Sequence, residues 1–430
     1  MKAFFRSRLT ARHVAVVHTR LAAVAGAVLL GLVAIVFARI GETAQNLFAH
    51  LVAISPYAPF VVTPLVFAAV VHLTRQFFPA ARGSGIPQVM AASHNPERHA
   101  AGDLVSLKTA WAKFAGTIAM LLAGGSAGRE GPTVQISAAL MVAVHRWLRV
   151  PVSAGVIIAG GAAGVAAAFN TPLAGVAFAI EELAAAFEQK VAVMVMAAVM
   201  ISGLVSLGLA GDYVYFGAMG SGLPLRTMFI AAPIAGATGG VLGGLFARSL
   251  IAMIRPGPAW LVRIRSRPVM LAGGCGLVVA LTGWATGGLS WGTGYETTRA
   301  LLAGHAAPMA FGPAKLVSTL ATALSGAPGG IFAPSLSVGA GLGQLLSVLF
   351  PANPAGAIVL LGMVGYFTGV VRAPMTSVII MMEMTADRTM ILPLFATALI
   401  ADAVSARVCR PKLYHALSRQ FRSDTSGQGS

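Results

Sequence analysis

The sequence predicts an all-α polytopic membrane protein built from two inverted repeats of broken and tilted helices. Three observations carry that prediction: an apolar, charge-poor composition, an internal repeat at a fixed offset, and glycine and proline scattered through the apolar runs. Hydrophobic residues make up 57% of the 430 positions and charged residues only 10%, with a mean hydropathy of +0.81. Soluble domains run nearer about 45–50% apolar and about 25% charged. Stretches approaching the length that crosses a bilayer, about 20 mostly apolar residues, occur at Leu21–Ala38, Phe60–Leu73, Val191–Ala210, Met228–Phe246 and Val269–Leu281. The first run is too long, and follows too many basic residues, for a cleaved signal peptide.

In chain order, residues 1–20 form a basic segment with Lys2, Arg6, Arg8, Arg12 and Arg20, and residues 21–210 a first membrane repeat. A linker follows at 211–225, a second repeat at 226–409, and a C-terminal segment at 410–430. The net charge of +17 lies beside the spans: besides the N-terminus it sits at Arg255, Arg263, Arg265 and Arg267, and at Arg407, Arg410, Lys412, Arg419 and Arg422. Basic residues flanking spans mark the cytoplasmic side. Both termini and the 255–267 loop are therefore expected to be cytoplasmic, and no nucleic-acid partner is expected. Cys275 and Cys409 are far apart, lie in or beside apolar runs, and read as free thiols; neither a metal spacing nor a disulfide framework appears. With sixteen residues after Tyr414, no appended regulatory domain is expected.

The repeat rests on five landmarks. Pro132 and Pro334, Pro172 and Pro374, Lys113 and Lys315, Gly128 and Gly330, and Glu181 and Glu383 are each 202 positions apart. Similarity does not distinguish parallel from inverted repeats, but two termini on one side require an even number of crossings, and two halves with odd counts are then antiparallel.

The interrupted helices point to a function. Irregular backbone at membrane depth is tolerated where it is buried in protein or lines a cavity, and the free N-terminus of a helix carries unpaired N–H groups that favour an anion. Three segments share this design: Gly83–Pro87 (GSGIP), Gly128–Pro132 (GREGP) and Gly329–Pro334 (GGIFAP). In each, glycine (Gly83, Gly85, Gly128, Gly131, Gly330) allows close approach, and proline (Pro87, Pro132, Pro334) suits the first helical turn. Converging, they would hold a monovalent anion through partial charges, weakly enough for it to leave. The look-alike GSGLP at Gly220–Pro224 reads as an ordinary turn into a helix, and the repeat partner of GSGIP falls instead near Gly292–Glu296, at an offset of 209.

Taken together and in this order, these segments with the late Lys412–Tyr414 (KLY) resemble the CLC family of chloride channels and chloride/proton antiporters, over about Leu21 to Arg422. The resemblance implies the family's antiparallel two-half fold, no cofactor or metal, no enzymatic activity, and a homodimer with one pore per subunit; the short tails and high alanine content suggest a bacterial inner membrane. It implies that Glu130, beside Arg129, is the external gate, that Ser84, Tyr414 and the backbone N–H groups of Ile331 and Phe332 hold chloride, and that Glu182 transfers protons on the inner side. The residues alone leave other readings: Glu130 paired with Arg129, Ser84 as a helix cap, Tyr414 as an interfacial aromatic, and Glu182 as a surface acid.

Adjacent helical residues point about 100° apart, so Glu181 and Glu182 are expected to differ in role. Glu181 has the repeat partner Glu383 and suggests a structural duty, whereas Glu182 faces Met384 and has no acidic counterpart. An acid at that position favours proton-coupled chloride antiport; the alternative is a passive chloride channel of the same family. Gln88 stands where some bacterial relatives carry glutamate, so Arg129 is expected to need another partner. An intramembrane hydrolase using Ser221 and His305 lacks a nucleophile elbow, and a cation transporter lacks clustered acids or histidines in its spans. Val191–Leu207 and Ile391–Ile400 are apolar enough for a dimer interface or for lipid contact.

Overall fold

A computed structural model describes residues 2–96, 103–183, 189–211, 214–219 and 222–423, with side chains in the first helix from residue 18 onward. Among these residues the chain is helical apart from turns and a single isolated bridge. Asp212, Gly220 and Ser221 fall outside the described residues.

Helix α1 (Lys2–Ile54) and α2 (Pro59–Phe77) enter the first half. It continues through α3 (Ile86–His94), α4 (Leu107–Leu122), α5 (Glu130–Trp147), α6 (Ala154–Phe169), α7 (Pro172–Phe178, extended by a π turn at Ala179–Leu183) and α8 (Gln189–Ala210). The second half holds α9 (Leu225–Ala252), a short α10 (Ala259–Arg265), α11 (Pro268–Ala285), α12 (Tyr295–Leu302), α13 (Phe311–Leu324), α14 (Phe332–Ser347), α15 (Ala355–Val371), α16 (Pro374–Thr385) and α17 (Ile391–Val408). Helix α18 (Leu413–Ser423) closes the described chain. Among the described residues, six helices are long and apolar enough to cross a bilayer: α1 from His18, α2, α8 from Ala192, α9, α11 and α17. The apolar run read at Leu21–Ala38 belongs to a helix that runs unbroken to Ile54, past Arg39 and Glu42; this length carries the largely exposed Glu42 side chain to where it meets Arg129.

The interior is close-packed small residues. Gly239 and Gly243 of α9 lie against the backbone of Gly365 and Gly369 of α15, and Gly339 and Gly343 of α14 against Met363 and Val359. A methyl at any of these would meet backbone, so helices as apolar as lipid associate by close approach.

The halves are antiparallel. At the centre, Gly128 and Gly330 exchange two N–H···O bonds, each 2.7 Å, as an antiparallel pair. From there α5 runs back toward the basic face, where Val144 packs on Ala22. Its repeat mate α14 runs the other way, and Gln344 donates to the Ala307 carbonyl in the turn before α13. The landmark residues match in role as well as position. Lys113 donates to the Gly83 carbonyl at 2.7 Å and to Arg82 at 3.3 Å. Lys315 donates to Gly292 at 2.7 Å, Ser290 at 3.1 Å and Trp291 at 3.4 Å. Gly83 and Gly292, like Gly85 and Gly294, all have positive φ, so the loop at 292–296 is the structural partner of GSGIP.

Glu181 and Glu383 carry the structural duty expected of them. Glu383 accepts from the N–H of Leu173 and Ala174 at 3.0 and 2.7 Å, and Glu181 from Met375 and Thr376 at 3.1 and 2.7 Å. Each acid caps the N-terminus of the repeat mate's helix, where unpaired donors and the helix dipole welcome a carboxylate.

Candidate functional site

The three Gly-Pro segments meet at the molecular centre. Gly83 donates to the Gly326 carbonyl at 3.3 Å and accepts from Gly329 at 3.1 Å, and the Gly128–Gly330 pair ties in the third segment. Glycine is required here by space. A methyl on Gly131 would meet Ser84 Oγ, one on Gly330 the Gly128 carbonyl, and one on Gly128 the Glu130 carboxylate. The residues that begin α5 and α14 thereby aim two helix N-termini, Glu130 and Phe332, at one locus from opposite directions.

Ser84 does not cap α3: the N-cap is Gly85, with φ of 108° and no side-chain cap bond. Its hydroxyl lies beside the phenol oxygen of Tyr414 and interacts with it, and both oxygens are buried with no hydrogen bond of ordinary length to any other group. Tyr414 is fully buried rather than interfacial. Buried hydroxyls normally find partners, so two that have only each other form a polar socket. The Phe332 ring, 6.1 Å from that of Tyr414, closes one side and packs on Phe367, Phe178 and Phe169.

Glu130 is completely buried. Its Oε2 accepts from the Ala333 N–H at 3.4 Å, across the pseudo-twofold, and its Oε1 has no partner. It is not paired with Arg129. That guanidinium turns to α1, donating to the Ala38 carbonyl at 2.8 Å and to Glu42 Oε1 at 2.9 Å. Gln88 is occupied elsewhere, donating to the carbonyls of Ala80 and Arg82 at 3.1 and 2.6 Å. Glu42 is the partner that Arg129 required. Sequence inspection missed it because the two residues lie 87 positions apart.

Glu182 is also buried, with no side-chain exposure. Lys412 donates to its Oε1 at 3.4 Å, while Oε2 has no hydrogen bond. The surface-acid reading of Glu182 therefore fails.

Two cavities flank the socket. One, of about 470 Å³, reaches Ser84, Gly330, Ile331 and Tyr414 from the basic face and carries Arg75, Arg82 and Arg265 with no carboxylate among its lining residues. The other, of about 980 Å³, opens on the opposite face beside Arg129, Glu42 and Glu296. This geometry, two mouths, a central polar socket and one buried acid near each side, suits passage of a small anion. A model of a family described as voltage gated chloride channel matches residues 65–406. The protein belongs to the voltage-gated chloride channel family.

Relatives within this family agree. An H+/Cl− exchange transporter ClcA of Yersinia pestis bv. Antiqua is 32% identical, the match covering 92% of this chain and 86% of the relative. A ClcA from Salmonella agona is likewise 32% identical over the same shares. Among solved structures, a slow cyanobacterial Cl−/H+ antiporter superposes with a TM-score of 0.79 at 22% identity, covering 95% of this chain and 99% of the other. A CLC-type fluoride/proton antiporter superposes at 0.78, also at 22% identity, over 94% and 98%. These two show that the fold they share with this protein extends over about 95% of the chain.

Proposed function

We propose that this protein exchanges chloride for protons across a bacterial inner membrane, as a homodimer with one pore per subunit and both termini in the cytoplasm. The observation that carries the reading is a series of four buried oxygens without hydrogen bonds of ordinary length: Glu130 Oε1, Ser84 Oγ, the Tyr414 phenol and Glu182 Oε2. Hydroxyl donors at the centre suit an anion, and acids to either side suit a proton. The exchange transporters named above, 32% identical over nearly the whole chain, support the same reading.

In this reading chloride rests between Ser84, Tyr414 and the backbone N–H groups of Ile331 and Phe332. The Glu130 carboxylate competes for the helix N-termini that attract the anion, held by the Ala333 N–H. Protonation removes its charge, weakens that hold and opens the outer path. Glu182 receives the proton on the basic side, and ordered water bridges the aromatic packing around Phe332. Binding stays weak enough for turnover because partial charges, rather than an adjacent ammonium, face the ion. The apolar residues exposed along α8 and α17, among them Val193, Met200, Leu204, Leu392 and Leu399, suit a dimer face with Leu173 and Ile180 of α7 and its π turn.

The test is proton movement in liposomes under a chloride gradient, with no initial pH difference and the voltage clamped. Uphill proton flow is expected, abolished by Glu182→Gln while chloride still moves. Chloride flow with no proton signal in the unmodified protein would make it a channel.

A further inference from the structure

Glu182 has no exposed side-chain atom, so a proton from solution on the basic face reaches it only through a neighbouring group. Two side chains from the C-terminal segment stand against it. Lys412 Nζ occupies Oε1 at 3.4 Å. His415 Nδ1 lies 3.9 Å from Oε2, the oxygen without a hydrogen bond, and half of the His415 side chain is exposed. A lysine ammonium releases its proton about four pH units above an imidazole, and imidazole is the side chain that cycles near neutral pH.

Resting on the exchange reading above, the geometry points to His415 as the residue that carries protons between the basic-face solution and Glu182. The imidazolium, charged from solution, gives its Nδ1 proton to Oε2, directly after a small approach or through one water. The N–H bond breaks and an O–H bond forms; the carboxylate becomes neutral and the ring returns to neutral imidazole, ready to be recharged. Lys412 acts as a positioning residue, fixing Oε1 so that Oε2 faces the ring. The same turn of α18 places Tyr414 in the anion socket, so a single helical start touches both pathways. The ionisable groups around the ring are Glu182, Lys412, His94 of α3 and Arg419 of α18; burial above all, with Lys412, His94 and Arg419, keeps His415 below the ordinary histidine range. Recharging is therefore favoured by acid on the basic face.

The experiment compares unmodified protein, His415→Ala and His415→Gln in oriented liposomes, reading initial proton flux against pH on the basic side, with and without added millimolar imidazole. The relay requires a fall of about tenfold or more in both variants and a flattened pH profile. It also requires recovery by imidazole in His415→Ala, where the space is open, beyond that in His415→Gln. Chloride binding by calorimetry reports that each variant is folded. Fluxes matching the unmodified protein, or slow fluxes that imidazole leaves unchanged in chloride-binding variants, overturn the relay alone. Absence of coupled protons in the unmodified protein overturns the exchange reading and the relay with it.

Discussion

Tyr414 shows how a single residue is specified by what it lacks. Its ring is wholly buried among aromatics, yet its phenol oxygen has only the neighbouring Ser84 hydroxyl and makes no hydrogen bond of ordinary length. Removing that oxygen costs the fold only a weak contact with Ser84, whereas an anion in the socket loses a donor. A hydrogen bond to a charged partner contributes about 1.5–3 kcal/mol. Tyr414→Phe is therefore expected to leave thermal stability nearly unchanged and to weaken chloride binding roughly tenfold or more, as measured by calorimetry. Gly128→Ala should behave oppositely. Its methyl would occupy the place of the Glu130 carboxylate, so both melting temperature and transport should fall. Equal chloride affinity in Tyr414→Phe and unmodified protein would remove the phenol from the socket. Glu130, Glu182 and Ser84 are legible in the sequence because short motifs carry them. Glu42 and His415 are not. The Glu42–Arg129 pair depends on how far α1 extends, and His415 is hidden in what reads as a basic tail, although its i, i+3 spacing from Lys412 is an available signal.

Between elements, the repeat converts sequence symmetry into mechanical symmetry. Glu181 and Glu383 cap each other's helices, and Lys113 and Lys315 pin corresponding glycine turns. An ammonium buried without a counter-charge is tolerated only because carbonyl oxygens surround it, so Lys113→Met should loosen the Ser84 loop. Chloride affinity is expected to drop by several-fold with little loss of expression, and an unchanged affinity would limit Lys113 to a structural role. Glu383→Ala strands the N–H groups of Leu173 and Ala174 and should lower stability by about 1–3 kcal/mol in detergent melts, while the coupling of protons to chloride persists. Glu182→Gln, one residue from the matching acid Glu181, is expected to do the reverse. The constant offset of 202 makes these pairings visible in the amino-acid order itself, because few residues are inserted between landmarks. The jump to 209 at the glycine turns, and the true lengths of the helices, are less visible there. Helix ends here are set by tertiary capping and by close glycine contact rather than by local propensity, which tertiary context overrides.

At the scale of the whole molecule, charge and antiparallel packing make one joint claim about orientation. The 255–267 loop, the start of α11 and α18 border a single cavity, and Ala22 near the basic end of α1 packs on the end of α5. The α1 end at Val52 and Ala53, and the turn at 287–297, border the other. The described basic residues therefore gather on one face, the face that the proposed orientation sets toward the cytoplasm by the positive-inside tendency. The two cysteines are buried and free, and replacing them with serine gives a background for labelling. Tyr57→Cys and His305→Cys should react with a membrane-impermeant thiol reagent in intact cells. Arg263→Cys and Arg422→Cys should react only after permeabilisation. All four sites are exposed, so reactivity reports sidedness rather than burial. An exchange of the two pairs would invert the orientation and keep the fold. A split within either pair would break the assignment of faces, and with it the antiparallel arrangement that brings the Gly128 and Gly330 segments together.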